Sequence, residues 1–312
     1  MIYITIDGGT TNTRISLVKS NKTIKTVKLS MGARSGIGGS DELKREIKEA
    51  VLSLQDILGG NEHIERILAS GMITSEFGLY NLPHLSAPTG VAELNLGMHE
   101  EIIAGISDIP FVFVPGIKAG GDLLENTDMM RGEETELIGL CEKLQCGCIY
   151  VLPGSHSKLI KTDEQGRISS FVTTLTGEMI FALSQSTILK DAVDFSQKET
   201  DFKYLDSGYK YCCRKGINEA LFKTRVLKNI FKASPRELYS FYLGVVLCAE
   251  INELIKAEEN KIIIGGKEQI KNAMIDLLSA HCQKEIVSVP AEDAANAPSR
   301  GMIRIYEYNK NK

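Results

Sequence analysis

Apolar and β-branched residues crowd three short runs at the start of the chain, IYITID, RISLVK and TIKTVKL. Each is strand-sized, and Ser20-Asn21-Lys22 supplies a turn between the second and third. Together they predict an antiparallel meander. The period changes at Asp41. From there Leu43, Ile47, Val51, Leu54 and Leu58 recur every three or four residues, which predicts a helix capped by Ser40 and stopped by Gly59-Gly60. Strands are predicted over residues 64–70 and 110–114. The segment 98–105 reads as a helix, GIKAGG as a loop, and RGEETELIGLCEKL as a helix starting at Arg131.

The opening pattern then returns. Residues 148–152 read as a strand, PGSHS as a small-residue loop, KLIKTD as a strand, Gln165-Gly166 as a turn, and RISSFVTTLTGE as a third strand. Strand, loop, strand, turn, strand occurs twice, so the pattern points to an internal duplication. Residues 181–250 are mainly helical in pattern. The clearest helix, over 235–256, carries an apolar face of Leu238, Phe241, Leu243, Val246, Leu247, Ile251 and Leu254. A strand over 261–264 ends in Gly265-Gly266, a helix follows over 268–280, then a strand over 286–289 and a closing helix near 293–306. The domain divide is expected near Arg131, giving residues 1–130 and 131–312.

Length and composition narrow the class. A chain of 312 residues is ample for two ordinary domains. With 36 basic and 40 acidic residues the formal net charge is −4, which gives no general attraction to nucleic acid or to an anionic membrane. No unbroken apolar run approaches the roughly 20 residues of a membrane span, and the N-terminus lacks the basic region and apolar core of a signal peptide. The seven cysteines make no CxxC pair or Cys/His metal spacing; Cys146 and Cys148 read as the edge of an apolar strand. They suit reduced thiols in a cytoplasmic protein. The chain has 28 Gly against 8 Pro, and Gly serves where a backbone turns tightly or approaches a ligand.

Three Gly-containing turns follow predicted strands: DGGTTNTR at 7–14, PGSHSK at 153–158 and the GGKEQ turn at 265–269. Gly- and Thr-rich turns direct N–H groups and hydroxyls to one point, which is a way to hold phosphate oxygens. Asp7 at the strand end can anchor Mg²⁺, directly or through water. Neither GxxxxGK[ST] nor a GxGxxG leading into a helix is present, so a nucleotide site here is of another kind.

DGGTTNTR resembles the phosphate-1 motif of the actin, hexokinase and Hsp70 superfamily. More specifically, the segments DGGTTNTR, SGMITSE with LPHLSAP, MRGEETELIG, YVLPGSHSK and TLTGE resemble, in order, those of the 2-dehydro-3-deoxygalactonokinase family. They span about nine-tenths of the chain; the loop at 203–215 and the C-terminal tail resemble it least. The resemblance implies an α/β fold of two actin-like (ribonuclease H-like) domains with mixed sheets flanking an ATP cleft. It implies transfer of the γ-phosphoryl of ATP, with Mg²⁺, to the 6-hydroxyl of 2-dehydro-3-deoxy-D-galactonate.

Within that frame Gly9, Thr10, Thr11 and Asn12 are expected at the phosphates and Asp7 at the metal. Gly154, Ser155 and His156 are expected to meet the phosphates from the second domain, while Lys158 reads as a strand residue. Related carbohydrate kinases place an Asp just after a Gly at a helix start as the base; Gly132-Glu133 occupies that place with the longer-reaching Glu, a departure from that pattern, with Glu134 as fallback. Paired acids at a helix N-terminus are also explained by the helix dipole alone. Arg14, Arg131 and Arg34 are candidates for the acceptor carboxylate, because Arg offers a bidentate fork. Met72, Ile73, Thr74 and Ser75 lie where such kinases carry a substrate loop. Gly265 and Gly266, with Lys267, resemble the adenosine motif. The open alternatives are a different sugar-acid or ketose acceptor, an exopolyphosphatase-like phosphohydrolase, and an actin-like filament or chaperone ATPase. The oligomeric state, a homodimer included, is left open by the sequence.

Overall fold

The computed structural model of the chain describes residues 1–33, 41–59, 62–121, 123–142, 144–266 and 268–310. These group into two compact units, one of Met1–Cys146, Lys161–Phe171 and Glu292–Lys312, the other of Gly147–Ile160 and Val172–Ala291.

In the first unit, β1 (Ile2–Gly8), β2 (Thr13–Lys19) and β3 (Lys22–Leu29) form the antiparallel meander. Ser20 and Asn21 turn the chain in the left-handed region, at φ 49° and 61°. Ile4, Ile6, Ile15 and Leu17 are fully buried, and α1 (Asp41–Gln55) lays Leu43, Ile47, Val51 and Leu54 into the same core. Burying each such side chain contributes roughly 1.5–3 kcal/mol. The periodicity that predicts α1 is therefore its packing face. Ser40 and Gly60, expected at its two ends, lie outside the described residues.

The chain continues through β4 (Arg66–Gly71), β5 (Leu85–Ser86), α2 (Val91–Gly97), β6 (His99–Glu101), β7 (Phe111–Phe113), β8 (Ile117–Ala119), β9 (Asp128–Met130) and α3 (Glu133–Leu140). β4 runs parallel to β1 and β7 parallel to β4, giving a mixed sheet of order β3-β2-β1-β4-β7-β6. A small sheet of order β5-β8-β9 stands beside it in the chain.

Three expectations need correction here. Residues 98–105 are not helical: His99–Glu101 pair antiparallel with Phe111–Phe113, and the His99 ring stacks on Tyr80 at 4.3 Å, so tertiary pairing overrides the local helical pattern. GIKAGG is not all loop, because Ile117 and Ala119 are buried on either side of exposed Lys118 in β8. The helix expected from Arg131 begins at Glu133, since Gly132 sits at φ 109°, far from helical backbone.

The chain goes on through β10 (Cys148–Leu152), β11 (Ser157–Thr162) and β12 (Ile168–Thr174), of which Lys161–Phe171 group with the first unit, and then, in the second unit, α4 (Thr176–Ser186), α5 (Phe202–Lys215), α6 (Ile217–Asn229) and α7 (Pro235–Lys256). Then come β13 (Lys261–Ile264), α8 (Glu268–His281) and β14 (Glu285–Ser288), and the closing helix α9 (Ala291–Tyr306) belongs, from Glu292 on, to the first unit. The sheet order β12-β11-β10-β13-β14 repeats the order β3-β2-β1-β4-β7. The duplication read from the pattern is thus present in the topology.

The strand read through RISSFVTTLTGE stops at Thr174, because Thr174 and Thr176 both donate their hydroxyls to Oε1 of buried Glu250 on α7, which turns the chain into α4. Helix α7 carries the predicted apolar face and is buried on other faces too, Tyr239, Tyr242 and Val245 included. It is the one helix among the described residues long and apolar enough to cross a membrane by length and composition, and most of it is packed inside this unit.

α7 starts with a capping box: Ser234 Oγ accepts from Glu237 N at 3.4 Å, and the Glu237 carboxylate accepts from Ser234 N at 2.7 Å, with Pro235 in the first turn. Ser234→Ala is expected to lower the unfolding free energy by about 1 kcal/mol, read as a shift of the urea midpoint at constant slope.

Candidate active site

In the first unit Gly8 at the end of β1 pairs with Gly71 at the end of β4. Gly71 has φ 80°, and a Cβ there would lie 2.4 Å from Gly8 O. Gly132 has φ 109°, and a Cβ on it would lie 3.1 Å from Gly71 Cα. Only glycine tolerates either position. Three backbones therefore touch, and the first turn of α3 is seated on the ends of β1 and β4. Thr135 Oγ1 donates to Gly132 O at 2.7 Å and accepts from Ser70 Oγ at 3.1 Å, fastening the helix start to β4.

That seat fixes the acidic residues. Glu133 is half-buried, and its carboxylate accepts from Arg131 N at 3.0 Å. Glu134 is fully buried, with both oxygens 2.8 Å from Gly132 N. Burial, reinforced by the charge of Glu133, pushes its carboxyl up to about 8. Glu136 is pushed up to about 7, by burial first and then by Asp7 and Glu133, with Arg14 opposing. Glu133 and Glu136 are three residues apart and share one face of α3; Glu134 does not. Asp7, on β1, is the cross-strand partner of Arg14 on β2. Its Oδ2 accepts from Arg14 Nε at 3.0 Å and Nη2 at 2.6 Å.

Arg131 is held as a strut. Its Nη1 donates to the carbonyl and the hydroxyl of Thr74, both at 2.7 Å, while Nη2 donates to Leu82 O at 2.8 Å and lies 3.3 Å from His84 Nδ1. Burial lowers the guanidinium's pKa, and Glu134 opposes this. The His84 imidazole is held below its ordinary value by burial and by the charges of Arg131 and Lys118. Arg131 thus ties down the turn Met72–Thr74, in which Ile73 and Thr74 are buried while Met72 and neighbouring Ser75 remain partly open. Ser75 Oγ donates to Met72 O at 2.7 Å. Between β1 and β2, Gly9 N donates to Asn12 O at 2.8 Å, and Thr11 and Asn12 are exposed at the turn tip beside half-buried Thr10.

In the second unit the loop from β10 to β11 carries half-buried Gly154, exposed Ser155 and half-buried His156. His156 Nε2 lies 3.2 Å from Glu178 Oε1 on α4, and Glu178 N donates to Ser155 O at 3.1 Å. Lys158 is buried in β11 and donates to Thr173 Oγ1 at 2.8 Å, as expected of a strand residue. β10 and β13 are parallel neighbours, so Gly265, whose N donates to Val151 O at 2.9 Å, and Gly266 emerge next to Pro153. The two small-residue turns of this unit are therefore adjacent.

The family model for 2-keto-3-deoxy-galactonokinase matches residues 7–305, from Asp7 through most of α9. The chain belongs to that family. The 2-dehydro-3-deoxygalactonokinase of Escherichia coli K12 is 27% identical over 255 residues, covering 80% of this chain and 79% of that protein. Among solved structures, a candidate 2-dehydro-3-deoxygalactonokinase from Sinorhizobium meliloti superposes with a TM-score of 0.78 at 19% identity, over 98% of this chain and 99% of that one. A gluconate kinase from Lactobacillus acidophilus superposes with a TM-score of 0.53 at 12% identity, over all of this chain and 90% of that one. These two likenesses show a shared fold, the α/β fold of sugar kinases with mixed sheets.

In this member of the 2-keto-3-deoxy-galactonokinase family, β1, β2, β4 and α3 bring Asp7, Arg14, Glu133 and the turn at 72–75 to one end of the first unit's sheet. Arg14 and Arg131, expected at the acceptor, are engaged with Asp7 and with Thr74, Leu82 and His84. Arg34 and Lys267 lie outside the described residues. Reading the sequence missed Glu136 and His84. The signal for Glu136 was available in the three-residue spacing from Glu133; His84 stood in LPHLSAP with no spacing to mark it.

The raised carboxyl of Glu134 has a pH consequence. The fold favours its neutral form, so the unfolded chain binds fewer protons than the native one between about 4.5 and 8. Stability is full below that window and falls as the pH rises through it. Glu134→Gln, which keeps an acceptor for Gly132 N, is expected to flatten the fall of unfolding free energy between pH 5 and 8. An unchanged slope in urea unfolding across that range would contradict it.

Proposed function

We infer that this chain is an ATP-dependent 2-dehydro-3-deoxygalactonokinase, transferring the terminal phosphoryl group of ATP to the 6-hydroxyl of 2-dehydro-3-deoxy-D-galactonate. The observation that carries this reading is the family match across residues 7–305, onto a chain that seats an accessible Glu133 at the start of α3. Phosphoryl transfer asks a protein for positioning and charge stabilisation more than for covalent chemistry.

Glu133 is the proposed base. It is half-buried at the α3 N-terminus, whereas Glu134 is enclosed and held by Gly132 N. As the acceptor oxygen attacks the γ-phosphorus, Glu133 takes the hydroxyl proton, the new P–O bond forms and ADP departs with the old bridging oxygen. Glu136 shares the face of Glu133 and is the second carboxyl available there. Thr10, Thr11 and Asn12 offer hydroxyl, amide and backbone donors at an open turn for phosphate oxygens, and Gly154, Ser155 and His156 offer a hydroxyl, an imidazole and backbone groups in the second unit. Gly265 and Gly266 are proposed for the adenosine. The partly open Met72 and Ser75 are proposed to face the acceptor, with Arg131 positioning them.

Mg²⁺ belongs to the proposal. Among the described residues no group of three or more His, Cys, Asp or Glu side chains forms a metal cage. Asp7 with Glu136 nearby still fits an ion that keeps most of its waters and is otherwise held by substrate phosphates. When bound, such an ion neutralises charge on the β- and γ-phosphates. A cytoplasmic location is proposed with the enzyme; all seven cysteines are free thiols, which suits a reducing compartment.

Glu133→Gln is expected to leave ATP affinity within a few-fold and to cut turnover by about 10²–10⁴, measured by coupled ADP release with the sugar acid and by binding of a fluorescent ATP analogue. Glu134→Gln should stay within about tenfold of the parent, as a buried positioning residue rather than the base. Equal ADP release with and without the sugar acid would overturn the kinase reading in favour of a phosphohydrolase.

A further inference from the structure

Helices α5 and α7 cross with their backbones in contact. A Cβ on Gly208 would lie 2.1 Å from Phe241 O, and one on Gly244 would lie 1.9 Å from Leu205 O. One turn further along, Cys212 follows Gly208 and Cys248 follows Gly244 at a spacing of four, so thiols lie one turn from the closest approach of the helices. The neighbouring Cys213 completes the group. Cys213 Sγ lies 3.5 Å from Cys248 Sγ, and Asn252 Nδ2 lies 3.5 Å from each sulfur. Tyr209 OH donates to Asn252 Oδ1 at 2.8 Å, which orients that amide toward the sulfurs. Cys213 is exposed and Cys248 is buried. Phosphoryl transfer uses none of these groups.

We propose that Cys213 and Cys248 are a reversible oxidation site at which a hydroperoxide joins α5 to α7 by a disulfide. The exposed sulfur of Cys213 is reached first. As a thiolate it attacks one peroxide oxygen; the S–O bond forms, the O–O bond breaks, and hydroxide (or alkoxide) leaves with the electron pair, giving a sulfenic acid. Cys248 then attacks that sulfur. The S–S bond forms, the S–O bond breaks, and the departing hydroxide takes the Cys248 proton as water. In sum two thiols and one hydrogen peroxide give one disulfide and two waters. The sulfurs must close from 3.5 Å to about 2.05 Å, which side-chain rotation at a close helix crossing can supply. Burial raises the Cys248 thiol well above its ordinary range, so Cys248 resolves rather than initiates. A dithiol reductant reverses the link.

Tryptic cleavage isolates the pair. Residues 211–214 form one peptide, YCCR, and residues 237–256 form another whose only cysteine is Cys248. The full chain is treated with stoichiometric hydrogen peroxide, its free thiols are blocked with N-ethylmaleimide, and the digest is read by mass spectrometry before and after dithiothreitol. The expected product is these two peptides joined, at two hydrogens below their summed mass plus one N-ethylmaleimide on the remaining thiol of YCCR, and released by dithiothreitol. The link should persist in Cys212→Ser and fall by about tenfold or more in Cys213→Ser. Cys213 is exposed, so that variant should fold; an unchanged circular dichroism melting curve checks it. Recovery of both peptides fully blocked after peroxide, a bond between Cys212 and Cys213 within YCCR, or loss of the link in Cys212→Ser but not in Cys213→Ser would each overturn the proposal.

Discussion

The first unit depends on one steric constraint, the contact of backbone with backbone at Gly8, Gly71 and Gly132. Cβ atoms at Gly8 and Gly71 would fall 2.8 Å from Ile73 Cβ and 2.4 Å from Gly8 O, distances that side chains do not survive. With no side chains in the way, the parallel pair β1–β4 ends flush and α3 starts directly on it. The acids of α3 can then stand over the strand ends where Asp7 and Arg14 emerge. A residue with a Cβ at Gly71 or Gly132 would lift the helix and scatter the site, even though neither glycine has any chemistry of its own.

On that seat, three carboxyls within four consecutive residues, Glu133, Glu134 and Glu136, acquire different characters from burial and partners. Glu133 keeps access to solvent and accepts from a backbone N–H. Glu134 is enclosed and pushed toward its neutral form. Glu136 faces Asp7 and is raised in part by that charge. The N-terminus of a helix favours negative charge by roughly 0.3–1 kcal/mol per group, too little to offset full burial of Glu134. Arg131 adds rigidity. Four contacts from its fork hold Thr74, Leu82 and His84, and hydrogen bonds from charged donors contribute about 1.5–3 kcal/mol each. The turn at 72–75 is thereby fixed from the same segment that carries the acids.

The second unit solves a related problem with a buried helix. α7 carries Glu250, which collects the hydroxyls of Thr174 and Thr176 and so sets where β12 ends and α4 begins. Tyr242 OH, on the same helix, donates to Ile180 O of α4 at 2.7 Å. The first turn of α4 in turn holds Ser155 and His156 through Glu178. A chain of contacts thus runs from the core helix to the loop proposed for phosphate, and its exposed end is small and polar.

The linear order of residues determined the elements with strong periodicity: the meander at the start, the face of α1, the central helix α7, and the repeat of strand, loop, strand, turn, strand that the two sheets reproduce. It also determined the small-residue turns, because a Gly or Thr after a strand is a local signal. Short elements were beyond it. β6 and β8 are three residues each, and their identity comes from partners, β7 for one and β5 with β9 for the other, that lie elsewhere in the chain. Site chemistry divides the same way. Glu133 and Asp7 could be named from local motifs, while the pairing of Asp7 with Arg14, the strut made by Arg131, the enclosure of Glu134 and the approach of Cys213 to Cys248 were decided only by tertiary structure. The physical reason is that hydrogen-bond partners, burial and local charge are properties of what surrounds a side chain, and folding assembles those surroundings from residues far apart in sequence.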